Sequence, residues 1–134
     1  MVFRETTHRV APFSIDRAML GRRLPMLENS MGLAWLAAAA PAERQALPRM
    51  LGRGARLVGE VRRRGYALRN GGMRPHTATA VPIRAGGRVL GCIAAIWRAR
   101  AVSVEKGLRQ CLEPLRETAA EIEAGIAQAQ GFSA

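Results

Sequence analysis

The stretch Thr77–Trp97, TATAVPIRAGGRVLGCIAAIW, decides how this chain folds. Thr77 to Ile83 and Arg88 to Trp97 each read as a strand. The break between them, Ala85–Gly86–Gly87, supplies residues that tolerate the positive φ of a tight hairpin. Side chains alternate between the two faces of a strand. Ala78 and Ala80 therefore share one side of the first strand, and Ala94 and Ile96 share one side of the second.

Outward from the hairpin the period changes. Tyr66 to Arg69 is a short strand, followed by the loop Asn70–Gly71–Gly72. Arg56 to Arg64 places Leu57, Val58 and Val61 on one side of a helix, with Gly65 as its stop. After the hairpin, Val104, Leu108, Cys111, Leu112, Leu115, Ala119, Ile122 and Ile126 recur at spacings of three and four. A long helix from Ser103 to about Gln130 follows, which Pro114 is expected to bend or split.

Nearer the N-terminus, Ser30 to Ala39 reads as a helix burying Leu33, Leu36 and Ala37 and stopped at Pro41. Pro41 opens a second helix, Ala42 to Leu51, which Gly52 and Gly54 end. Val2 to Val10 alternates like a strand, and Ile15 to Leu20 reads as a turn or helical turn ending at Gly21. The order is strand, helices, three strands, long helix. It predicts an α+β fold, an antiparallel sheet with flanking helices.

Gly21–Leu36, GRRLPMLENSMGLAWL, carries the first hint of function. A basic, Pro-bearing loop runs into a helix whose first turn is capped by Asn29 or Ser30. The first amides of a helix lack partners and the dipole adds positive charge, so the turn suits a small anion such as a carboxylate. Any helix has such an end, and the feature gains weight only from its surroundings.

The 134 residues suffice for one domain with a real core. No apolar stretch approaches the roughly 20 residues of a membrane span, and no secretory h-region opens the chain. Cytoplasm is the expected location. Cys92 and Cys111 suggest neither a zinc site nor a disulfide framework. The balance is basic, 21 Lys plus Arg against 10 Asp plus Glu, for a net charge of +11. A stand-alone nucleic-acid-binding module is one reading of that charge. The arginines are scattered, however, with only Arg62–Arg63–Arg64 in a run, and no aromatic residues interleave with them.

Catalytic arrangements are missing from the sequence. His8 and His76 have no metal-ligand spacing to a carboxylate or cysteine, and His76 reads as a loop residue. GRGARLVGE lacks the Lys–Ser/Thr of a phosphate loop, and the serines lack a nucleophile elbow. Glu121 and Glu123 point to different sides of their helix. No catalytic residue, metal or cofactor is expected, and an enzyme is not.

The segment Arg4–Ala37, RETTHRVAPFSIDRAMLGRRLPMLENSMGLAWLA, resembles the effector-binding domain of IclR-type transcriptional regulators. The resemblance rests on Gly21, Pro25, Gly32, Ala34, Leu36 and Ala37. It continues in order through Pro41–Ala42–Glu43–Arg44, Arg62–Arg63–Arg64–Gly65–Tyr66–Ala67, Ala80–Val81–Pro82–Ile83 and Gly87. PFSIDRAMLGRRLPML is similar to the MhpR-like subgroup, whose members respond to phenylpropionate-type aromatic acids.

The resemblance implies a GAF- and PAS-like fold with an effector held between sheet and helix start. It also implies a homodimer or homotetramer. The family reads DNA through an N-terminal winged helix-turn-helix without a counterpart in these residues, so residues 1–134 are expected to be one partial effector domain. By the family's pattern the amides of Ser30 and Met31 clasp the acid, and Ala78, Ala80, Ala94 and Ile96 wall it. Members that bind small oxo-acids carry hydroxyls at the sheet positions; the apolar set here favours an aromatic or aryl-alkanoic acid. Enlarging Ala94 to Phe should then block binding and spare the fold. Arg69 falls where it could pair a carboxylate, although a solvated strand-end arginine is the commoner reading. Trp35 could wall the pocket, with core packing the commoner reading.

Overall fold

The computed structural model describes residues 1–2, 4–5, 21–45, 52–70 and 75–131. Its elements are α1 (Ser30–Ala38), α2 (Pro41–Gln45), α3 (Arg53–Arg64), β1 (Ala67–Asn70), β2 (His76–Ala85), β3 (Arg88–Arg98) and α4 (Val104–Gly131), with a single 3-10 turn at Met26–Glu28 before α1. The strands form one antiparallel sheet in the order β1-β2-β3. The expected strand over Val2–Val10 and turn over Ile15–Leu20 fall largely outside the described residues, although Val2 bridges Arg23. The second half of the Ala42–Leu51 helix and Gly71–Gly72 lie outside them as well.

The hairpin is tighter than the sequence suggests. Its turn is Gly86–Gly87 alone, with φ of 56° and 78°, and Ala85 pairs with Arg88 as the last rung. Two successive positive φ values are what a right-twisted two-residue hairpin requires. The register slips between Ile83 and Arg84: Ile83 faces Gly91 and Arg84 faces Val89, which leaves Leu90 as an extra residue.

Both faces of the sheet are covered. On one, Leu33, Ala34 and Val61 from α1 and α3 pack on Ala67 and Ala80, with Met31, Ala37, Leu57, Cys92 and Ala94 around them. On the other, Leu115 and Ala119 of α4 pack on Val81, joined by Leu112, Ile83, Ile93 and Ala95. The domain is thus three layers, helices on sheet on helix. Sandwiching explains why Thr77–Val81 is buried at every residue rather than at alternate ones. The buried hydroxyls are satisfied within the sheet: Thr79 donates to the Ala67 carbonyl at 2.9 Å and Thr77 to Asn70 Oδ1 at 3.2 Å.

Gly54 does not break a helix and Pro114 does not split one. α3 begins at Arg53 and takes Gly54 into its first turn, where the glycine is buried. α4 runs unbroken through Pro114. Pro114 is exposed, and so is Gln110 one turn earlier, whose carbonyl loses its amide partner on a side open to water.

Candidate functional site

The site begins with α1, whose sequence SMGLAWLAA is apolar nearly all round because it is covered on two sides. One side lies on the sheet. On the other, Gly32 sits against the backbone of Met26, where a Cβ would run into the Met26 carbonyl oxygen. Asn29, not Ser30, is the cap: its side-chain oxygen accepts the Gly32 amide at 2.7 Å, while its Nδ2 donates to the Pro25 carbonyl. The Leu33 amide donates to the Asn29 carbonyl at 3.2 Å. Among the described residues no acceptor reaches the amides of Ser30 and Met31, the two donors left over at this helix start.

The sheet face under α1 and α3 is built from cross-strand rows. Ala67, Ala80 and Ala94 form one row, and Arg69, Ala78 and Ile96 form the next. The register therefore places Arg69, Ala78, Ala80, Ala94 and Ile96 on one face, as their spacing predicts. The rows differ in cover. Ala80 belongs to the core with Leu33 and Ala34, and Ala94 packs against that core. Ile96 is 42% exposed, so the second row opens to solvent at its β3 end.

Met31 packs against the same core, and Ser30 is buried at the helix start. Trp35 is half-buried one helical turn beyond Met31, on the same side of α1. The contacts of Ala94 alter one expectation. Phenylalanine there would enter the packing of Leu33 and Ala34 and disturb the fold itself.

A third row continues the face beyond the residues singled out from sequence. His76 stands opposite Arg98, two residues outward from Ala78 and Ile96. His76 is the first residue of β2 and not a loop residue. Arg98 was legible only by carrying the alternation Ala94, Ile96 one step further.

Among the described residues one titration shift is resolved, in the core of this face. Burial pushes the Cys92 thiol up to about 12, with Arg84 pulling weakly the other way. A thiol so held is neutral and unreactive at neutral pH. Among the described residues no three of His, Cys, Asp and Glu gather as a metal site. No helix there is long and apolar enough to cross a membrane.

No family model matches the sequence. The structure is similar to that of a protein from Rhodococcus sp. RHA1 classed as a transcriptional regulator, with 25% identity, a TM-score of 0.72, and coverage of 89% of this chain and 55% of that one. It is also similar to an IclR homolog from Microbacterium hydrocarbonoxydans solved with 4-hydroxybenzoate: 30% identity, TM-score 0.63, 84% of this chain and 51% of that one. The inducer-binding domain of PobR from Acinetobacter, a double mutant in complex with 3-hydroxybenzoic acid, matches at 21% identity and a TM-score of 0.67, over 84% of this chain and 75% of that one.

The chain has the IclR-type effector-binding fold. Its IclR-type neighbours are domains of transcriptional regulators and not enzymes. The chain spans about half the length of the first two regulators, 55% and 51%.

Proposed function

We propose that this chain is the effector-sensing part of an IclR-type transcriptional regulator acting in the cytoplasm, and that it binds an aromatic or aryl-alkanoic acid. The observation that carries the reading is the row Arg69–Ala78–Ile96, open to solvent at its Ile96 end and lying beside an alanine-floored core on which Met31 packs, at a helix start whose Ser30 and Met31 amides meet no acceptor among the described residues. An aromatic ring rests on Ala78 and Ile96, and its carboxylate meets the amides of Ser30 and Met31. Arg69 supplies further positive charge on the same row, and Trp35 flanks the helix. Ala80 and Ala94 act from beneath, by keeping α1 close to the sheet.

The neighbours solved with 4-hydroxybenzoate and 3-hydroxybenzoic acid support acids of this size. Phenylpropionate-type acids, expected of the MhpR-like subgroup, are the first candidates. Binding shifts the population between arrangements of a homodimer or homotetramer, and DNA-binding domains of the whole regulator follow.

A thermal-shift series of benzoate, hydroxybenzoates, 3-phenylpropionate, glyoxylate and pyruvate tests the reading. A binding aromatic acid at a hundredfold its Kd should stabilise the chain by about 2.7 kcal/mol. A series in which glyoxylate or pyruvate alone stabilises it, or no acid does, overturns the reading.

A further inference from the structure

We infer that Arg98, with His76 opposite it, makes a second anion contact at the outer end of this face, so that the preferred effector carries two acidic groups. The inference rests on the sensing role proposed above and narrows its ligand to an aromatic dicarboxylate. Three observations carry it.

The first is alignment. Ala94, Ile96 and Arg98 lie on one side of β3, and His76 faces Arg98 across the ladder. Strand residues two apart are separated by about 6.6 Å, so Arg98 leaves the strand about one ring-length beyond Ile96. The second is charge. Arg98 is exposed, and among the described residues neither it nor His76 joins an ion pair, whereas Arg88 pairs with Glu43 and Arg116 with Glu113. Across the ladder Arg98 therefore faces no carboxylate. The third is access. Ile96 and Arg98 are exposed, while the preceding row is closed by α1. Glu43, just past the C-terminal end of α1, pairs with Arg88 at the hairpin end of β3. The start of α1 therefore points toward the opposite end of β3, and a ligand held at the Ser30 and Met31 amides extends toward Arg98. A guanidinium holds a carboxylate there through two parallel N–H donors.

Calorimetric titration of the whole chain with benzoate and with benzene-1,4-dicarboxylate tests this, using wild type, Arg98→Gln and Arg109→Gln. Arg109 is exposed on α4, on the other side of the sheet, and controls for net charge. Wild type should bind the dicarboxylate at least tenfold more tightly than benzoate. Arg98→Gln should remove that advantage and leave benzoate affinity unchanged, whereas Arg109→Gln should alter neither. Equal affinities in wild type, or an equal loss in both variants, overturn the second contact and leave the sensing role standing. Binding of neither acid overturns both.

Discussion

The carboxylate of Glu123 accepts the backbone amide of Arg84 at 2.7 Å, across 39 residues of sequence. Arg84 sits where the β2–β3 register slips, so its amide has lost its regular place in the ladder. α4 thus fastens itself to the sheet at the point where the sheet's own bonding fails.

Glu123→Ala should therefore destabilise the domain by about 1 kcal/mol, since a partly solvated charge-assisted bond is lost. Glu123→Gln keeps an acceptor and should recover most of that. Urea melts of the two variants decide the matter: equal stabilities would mean that the contact contributes nothing.

Three glycines should respond in opposite directions to one added methyl group. A Cβ at Gly107 would enter the Trp97 ring, and one at Gly32 would strike the Met26 carbonyl, so Gly107→Ala and Gly32→Ala should each cost about 1–3 kcal/mol. Gly59, inside α3, meets nothing within 4 Å, and Gly59→Ala should stabilise by about 0.5–1 kcal/mol. Thermal melts report all three, with Trp fluorescence as a local probe of Gly107→Ala. A stabilised Gly107→Ala would contradict the packing of Trp97 on α4.

Ile96→Glu should leave the melting temperature of the free chain within a few degrees, because Ile96 is 42% exposed. It should nonetheless abolish stabilisation by aromatic acids, by placing a carboxylate where the ring rests. Retained stabilisation would move the effector off this row.

Cys92 should resist alkylation at pH 8, where a thiol held up to about 12 is ionised in roughly one molecule in ten thousand. Denaturant should release it, and mass-spectrometric labelling reads the difference. The same burial has a pH signature. Below about 9 both folded and unfolded thiols are protonated, and this group gives stability no dependence on pH. From about 9 to about 12 only the unfolded thiol ionises, so stability falls with rising pH. Cys92→Ala should flatten that part of the pH–stability curve; an unchanged slope would show that the thiol is not shielded.

The hairpin was legible because Gly86–Gly87 and the alternation of Ala78, Ala80, Ala94 and Ile96 are local signals, and cross-strand register follows from them. Gly65 ended α3 as expected, with φ of 79°. What escaped the sequence was set by tertiary cover. Gly54 stays helical because α3 buries it, and Pro114 is tolerated because its side of α4 faces water. Thr77 and Thr79 are the plainest case. Alternation alone would turn hydroxyls outward, but α4 covers that face, and their protons go to Asn70 and Ala67 instead. His76 and Arg98 were missed for a related reason: their opposition exists only once the strands are paired, 22 residues apart along the chain.

The way α1 begins has a consequence for selectivity. Gly32 lies flush on the Met26 backbone, and the Asn29 carboxamide is clasped between Pro25 and Gly32. A turn gripped from both sides has no slack with which to adapt to a guest. Its donors are aimed before anything arrives, so discrimination between acids falls to the guest's own shape and to the less constrained strand end at Ile96.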